Sequence, residues 1–229
     1  MKLTVIIPCF NEEKTIGKVL KKIQETTEPI RIKQIIVVDD GSTDKTRNIL
    51  SNLKLKNIMI VRHRVNMGKG AAIASALKIA SGDIVLIQDA DLEYDPADWG
   101  ELLQPIIDQR ADVVFGSRFI GKGPHRVLYF WHQMANQAIT LLSNIFTNLN
   151  LSDIETGSKA FTIEVAKHLD LREKGFGFEP EFTAKVAKLK SKVFEVGVSY
   201  AGRTYEEGKK ITWIEGFKAI YCILKYNLL

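Results

Sequence analysis

Cysteine is nearly missing from this chain. Cys9 and Cys222 stand far apart, and neither belongs to a pair or cluster at metal-ligand spacing. That usage fits a reducing, cytoplasmic setting. Long apolar runs are missing as well. The N-terminal "MKLTVIIPCF" is interrupted at Pro8, too early for the apolar region of a signal peptide. No stretch reaches the roughly 18 uninterrupted apolar residues of a membrane span. The chain is therefore expected to lack an integral anchor, with at most a peripheral hold on the cytoplasmic membrane face. No block of like charge exists. Lysine plus arginine number 32 against 27 acids, a net +5, and the pI is near 9.1. A nucleic-acid arm is not expected, whereas the mild excess suits anionic substrates or an anionic membrane face. Several nucleotide and hydrolase signatures are also missing. The turn "PCFNEE" has no G-x-G-x-x-G, "NMGKGAA" lacks the phosphate-loop spacing, and neither G-x-S-x-G nor H-E-x-x-H occurs.

What the sequence does contain is an alternation. Near-continuous β-branched runs at 3–8, 34–40, 57–63, 83–89 and 112–119 read as strands covered on both faces. Between them come helical spacings. Ile16, Val19, Leu20 and Ile23 mark one helix, Ala72, Ala76, Leu77 and Ala80 a second, and Leu102, Leu103, Ile106 and Ile107 a third. Strands alternating with helices imply an α/β fold with a mostly parallel, Rossmann-like sheet flanked by helices. After about residue 120 the rhythm changes. Residues 125–149 read as one long aromatic-rich helix, 152–161 ("SDIETGSKAF") as a loop before a short element, 179–190 as a helix, 192–200 as a strand and 212–226 as an amphipathic helix. With 45% hydrophobic residues and no linker or repeat, residues 1–229 are expected to form a single domain. Its second half, 121–229, completes and covers the first, 1–120.

In such sheets ligands bind beyond the carboxyl ends of the strands. Polar residues gather at those ends: Asn11 and Glu12, Asp39 and Asp40, Asn66 and Lys69, then Asp89 and Asp91. Any one pair is an ordinary turn or cap; "DDGSTD" by itself is a turn followed by an N-cap at Ser42 or Thr43. Four such turns on one sheet edge favour a site. The run "LIQDADLEYDP" places Asp89, Asp91, Glu93 and Asp95 within seven residues. Asp95, before Pro96, is expected to cap the next helix. Hard oxygen ligands without nearby His or Cys suit Mg2+ or Mn2+, usually completed by phosphate oxygens and water.

The ordered set "VIIPCFNEE", "VVDDGSTDKT", "NMGKGAA", "SGDIVLIQDADLEYDP", "GSRF" and "GRTYEEGKK" resembles the family 2 glycosyltransferases. It is most similar to their dolichol-phosphate mannosyltransferase-like, polyprenyl-phosphate hexose synthase branch. The resemblance runs over nearly the whole chain. It implies a GT-A fold, a nucleotide-sugar donor, a divalent cation (Mg2+ or Mn2+) and inversion at the anomeric carbon. Carried over by position, Pro8, Phe10 and Glu12 would line the nucleoside pocket. Val38 and Asp40 would contact base or ribose, with Asp39 a second candidate. Asp89 and Asp91 would hold the metal through the diphosphate, with Ala90 against the ribose. Glu93 stands where related synthases often have glutamine and adds negative charge to the metal site. Lys69 belongs to the same donor-binding set. Arg118, Arg203 and Lys209 match basic residues that bind donor or acceptor phosphates. Asp89, Asp91, Arg118 and Arg203 are the expected catalytic residues, and Arg126, His132 and Asn136 the acceptor-side candidates.

The implied reaction displaces a nucleoside diphosphate from a hexose, of the GDP-mannose or UDP-glucose type, by an attacking oxygen. A polyprenyl phosphate is already ionised and needs no base; a hydroxyl acceptor on a glycan or glycolipid would need one within hydrogen-bond reach. Asp153, Glu155, Glu179 and Glu181 are the acids at hand, each equally suited to a turn or helix start. Tyr129, Phe130 and Trp131 are expected in the core or an interface. Residues 125–149 and the C-terminal helix are amphipathic; their apolar sides could lie in a bilayer interface, complete the core or form a homodimer contact. A nucleotidyltransferase on a similar scaffold would want a basic, glycine-rich first loop, and "PCFNEE" is acidic.

Overall fold

The computed structural model describes residues 1–26, 30–53, 55, 57–121, 126–127, 129–203, 206 and 213–228. The strands are β1 (Lys2–Cys9), β2 (Arg31–Asp39), β3 (Ile58–Arg62), β4 (Ile84–Ile87), β5 (Val113–Ser117), β6 (Lys159–Thr162) and β7 (Val193–Gly197). They form one sheet in the order β3-β2-β1-β4-β6-β5-β7. β6 alone is antiparallel, paired with β4 on one side and β5 on the other; the other pairings are parallel.

The helices are α1 (Ile16–Glu25), α2 (Thr46–Ser51), α3 (Lys69–Leu77), α4 (Trp99–Ile107), α5 (Phe130–Thr147), α6 (Ile163–His168), α7 (Phe178–Lys188) and α8 (Trp213–Leu228). Strand side chains alternate between faces, so β1 sends Leu3, Val5 and Ile7 into a core shared with α1, α2 and α4. Ile6 enters a second core with α3, α7 and α8. Both faces are covered, which is why the strands read as unbroken apolar runs. α1 shows what holds such a helix. Its Thr15 makes no capping bond, but Ile16, Val19, Leu20 and Ile23 are buried. Each contributes roughly 1.5–3 kcal/mol, against the ~1 kcal/mol of a cap.

Two local expectations change. The 152–161 stretch is not a continuous loop, because Lys159–Thr162 is the strand β6. Its sequence hides it: only Ala160 and Phe161 are apolar, and Lys159 is fully buried. The Lys159 ammonium is held by the carbonyls of Ile154 and Thr156 among the rings of Phe115, Phe178 and Phe182. The N-cap after "DDGSTD" is neither Ser42 nor Thr43 but Lys45, whose side chain makes no capping bond. Asp44 Oδ1 accepts from Thr46 N at 2.9 Å, while Ser42 Oγ accepts from Asn11 N and so joins two sheet-edge turns. Asp95 does cap its turn, accepting from Ala97 N.

The long helix begins at Phe130 and stops where Asn148 turns left-handed, with φ 56°. Phe130 and Trp131 are not in the core: they are 64% and 78% exposed, as are Trp213 and Phe217 of α8 at 76% and 66%. α5 and α8 pack against each other and carry these aromatics on the outside. Among the described residues, no helix is long and apolar enough to cross a membrane.

Candidate active site

Every strand but β6 points its carboxyl end at the same rim, and β6 begins there. The turns leaving β1, β2, β3, β4, β5 and β7 enclose a cavity of about 400 Å³. Of the residues selected from sequence, Pro8, Phe10, Glu12, Asp40, Lys69, Asp89, Ala90, Asp91, Glu93, Arg118 and Arg203 line it. Val38 and Asp39 are fully buried and lie outside the lining. Lys209 falls outside the described residues.

Asp40 braces the rim. It accepts from Met67 N at 2.9 Å and Gly68 N at 2.7 Å, and its Oδ1 is 2.6 Å from His63 Nδ1. Gly68 has φ +97° and abuts the Lys174 carbonyl, so no side chain fits there. α3 can then begin at Lys69, whose ammonium lies 3.0 Å from Asp89 Oδ1 and 3.1 Å from Glu179 Oε1. Those two carboxylates outweigh burial and hold the ammonium well above the ordinary lysine range.

The acidic turn after β4 is fixed from behind. Trp99 Nε1 donates to Gln88 Oε1 at 2.8 Å, and Gln88 Nε2 donates to the Tyr94 carbonyl at 3.1 Å. Leu92 takes a left-handed φ of 65°, uncommon for a residue with a side chain; this turns the chain sharply between Asp91 and Glu93. Arg203 then gathers the acids. Its Nη2 is 2.6 Å from Asp91 Oδ2, its Nε 3.0 Å from Glu93 Oε1 and its Nη1 3.4 Å from Glu12 Oε1. Burial, with Asp89 and Glu93 nearby, still pushes Asp91 up to about 7. Arg203 only partly offsets that crowding.

Arg118 follows β5 and is held by a fork, Nε to Asp153 Oδ2 at 2.7 Å and Nη2 to Asp153 Oδ1 at 2.8 Å. The pairing keeps the Asp153 carboxyl below its usual range despite full burial. Asn136 of α5 also donates to Asp153, at 3.1 Å. The guanidinium sits over the Tyr200 ring, 5.3 Å from its centre. Arg126 donates to the Gly202 carbonyl, beside Arg203, and His132 rests against the Tyr129 ring. Arg126, His132 and Asn136 do not line the cavity.

Of the four acids in the second half, Glu155 and Glu179 line the cavity. Asp153 is committed to Arg118, and Glu181 to Arg172 N, Glu173 N and Lys185. Tyr94, Phe176 and Tyr200, absent from the sequence-selected residues, also line the cavity. In "LEYDP" and "VSYAGR" the tyrosines stand close to Glu93 and Arg203, and that proximity is their sequence signal.

The donor set fits a hard dication in its chemistry: carboxylates on one turn, with Asp91 disfavoured as an anion by its neighbours. It is not closed around one point. Among the described residues no three His, Cys, Asp or Glu side chains converge as a metal-holding group. Lys69 engages Asp89 together with Glu179, and Arg203 engages Asp91 and Glu93 together with Glu12.

Residues 4–169 match the model of Glycosyl transferase family 2. An undecaprenyl-phosphate mannosyltransferase of Micrococcus luteus is 27% identical over 236 residues, covering 100% of this chain and 95% of that protein. A dolichol-phosphate mannosyltransferase of Pyrococcus furiosus is 27% identical over 232 residues; 99% of this chain spans 65% of its length. Among solved structures, glucosyl-3-phosphoglycerate synthase from Mycobacterium tuberculosis, in complex with Mn2+ and UDP-glucose, superposes with a TM-score of 0.77 at 23% identity. That alignment covers 100% of this chain and 79% of the other, and it gives the architecture as the GT-A fold.

Proposed function

This chain belongs to the family 2 glycosyltransferases, and we propose that it moves a hexose from a nucleoside diphosphate sugar to a polyprenyl phosphate with inversion, aided by Mg2+ or Mn2+. The observation that carries this reading is the alternation of charge around one cavity. Asp89, Asp91 and Glu93 face Lys69, Arg118 and Arg203 across a rim where each acid is already within reach of a cation. Asp89 and Asp91, with Glu93, would hold the dication, which when bound would neutralise charge on the departing diphosphate.

The chain's own residues do the rest. Arg118 and Arg203 present planar donors suited to phosphate oxygens. Their charge stabilises two anions brought side by side, most strongly as the leaving group gains charge. Asp153 sets the plane of Arg118. Pro8, Phe10 and Ala90 offer apolar surface for nucleoside and ribose. A polyprenyl phosphate needs no base. The exposed aromatic face of α5 and α8 supports a lipid acceptor, because Trp, Tyr and Phe with scattered Lys suit a bilayer interface; the same face would also serve a homodimer.

A hydroxyl acceptor is the second reading. It is favoured by Glu155, which lines the cavity and is pushed up to about 8, a value suited to a base near neutrality. One experiment separates the two. The protein is incubated with Mn2+, labelled GDP-mannose or UDP-glucose, and undecaprenyl phosphate in detergent, then extracted into organic solvent. Acid-labile, organic-soluble label is expected. Label that stays in water, or an acid-stable lipid product, would refute the phosphate acceptor.

A further inference from the structure

We propose that Glu155 and Glu179 recognise hydroxyl groups of the transferred hexose and so set the enzyme's choice of sugar; this rests on the donor reading above. Glu179 lies in the first turn of α7 and is 2% exposed. Its Oε1 meets Lys69, but its Oε2 is buried with no hydrogen-bond partner. Glu155 Oε1 is buried and unpartnered in the same way. Both residues line the cavity. Buried polar atoms without partners are rare in native proteins, and each calls for a reason.

The neighbouring carboxylates are already engaged. Asp40 accepts from the Met67 and Gly68 amides, Asp89 meets Lys69, and Asp91, Glu93 and Glu12 meet Arg203. Lys159, buried nearby, donates to the carbonyls of Ile154 and Thr156. The two glutamates are thus short of donors at one wall of the cavity.

The chemistry of a sugar nucleotide says which part would supply them. Phosphate oxygens accept hydrogen bonds and repel carboxylates, and a polyprenyl phosphate head is no different. A hexose carries several O–H donors. Position agrees. Lys69 joins Glu179 to Asp89, a residue assigned to the dication that would accompany the diphosphate, and Gly157, two residues after Glu155, lies directly against Asp89 Oδ2. A sugar attached to that diphosphate would face this wall, where Tyr94 and Phe176 add ring surface. The raised Glu155 carboxyl suits the role, since its protonated form can both accept from and donate to a hydroxyl.

The test compares each diphosphate with its sugar nucleotide by calorimetry in Mn2+: UDP with UDP-glucose, and GDP with GDP-mannose. In Glu155→Ala diphosphate affinity should stay within about twofold of wild type, which also reports a folded site; in Glu179→Gln, which also alters the partner of Lys69, the readout is the ratio of sugar-nucleotide to diphosphate affinity. The extra affinity contributed by the sugar should fall about tenfold, as expected when a hydroxyl-reading group is lost. Monodeoxy analogues of the preferred donor should show that one sugar hydroxyl and one glutamate are non-additive. Loss of diphosphate and sugar-nucleotide affinity in equal proportion would overturn the proposal, as would an undiminished sugar contribution in both variants. If the wild-type protein binds none of the four compounds, the donor reading itself fails, an outcome separate from either.

Discussion

Arg203 donates from Nη2 to Oδ2 of Asp91 across 2.6 Å, so the residue assigned to the leaving diphosphate rests against an acid assigned to the metal. The same guanidinium also reaches Glu93 and Glu12. Arg203 supplies part of the positive charge that this acidic turn requires. A cation held by Asp91 and Glu93 would therefore compete with it.

Removing Arg203 should consequently help the metal and harm the donor. In Arg203→Gln, Mn2+ affinity measured by paramagnetic resonance without nucleotide should rise by about tenfold, the scale of one charge-assisted hydrogen bond no longer in competition. Sugar-nucleotide affinity in saturating Mn2+ should fall. Unchanged or weaker Mn2+ binding in the variant would show that Arg203 and the cation do not compete.

Asp153 gives a stability prediction with a definite sign. Its folded-state carboxyl lies below its ordinary value because Arg118 and Asn136 hold the anion. That contribution is complete above the unfolded value of about 4 and is lost as pH falls through the folded value. Breaking a buried pair from one side costs about 3–5 kcal/mol. Asp153→Asn should therefore unfold at lower denaturant at pH 7, and the gap to wild type should narrow below pH 4. A gap independent of pH would assign the loss to packing.

Glu155 has the opposite sign. Burial and the nearby Glu179 push its carboxyl up to about 8, with Asp153 adding to the shift and Lys159 and Arg118 opposing it. The folded chain then keeps a proton that the unfolded chain releases near 4.5. Stability falls as pH rises between those values and is level above them. Glu155→Gln should gain melting temperature over wild type across that window. Equal slopes for the two proteins would refute the assignment.

Much of this site was legible because parallel strands end at one rim, so Asp40, Lys69 and Asp89 could be brought together from strand positions alone, whereas Arg118 followed only from the family resemblance of "GSRF". Two things were not. β6 escaped because its first residue is a lysine whose charge is satisfied by carbonyls and rings contributed by β5, α7 and the turn before it. The split between Asp153 and Glu155 escaped for a related reason. "SDIETG" shows acids in one turn, and only packing against α5 and β5 decides which is neutralised by Arg118 and which faces the cavity.

Gly157 offers a test that adds atoms rather than removing charge. A Cβ at this position would collide with Asp89 Oδ2 and lie 2.9 Å from Cε2 of Tyr94. Its amide already donates to the Tyr94 hydroxyl at 3.0 Å, so the backbone has little room to retreat. Asp89 must then swing away from Lys69 and from the place assigned to the cation. Gly157→Ala should cost about 1–3 kcal/mol of stability, the scale of overpacking, and leave the fold intact by circular dichroism. The stabilisation that wild type gains from Mn2+ with UDP-glucose or GDP-mannose should disappear, because ligand linkage requires binding to the folded state. If the alanine variant keeps the full metal-dependent shift, Asp89 does not hold the cation, and the metal assignment at this rim falls with it.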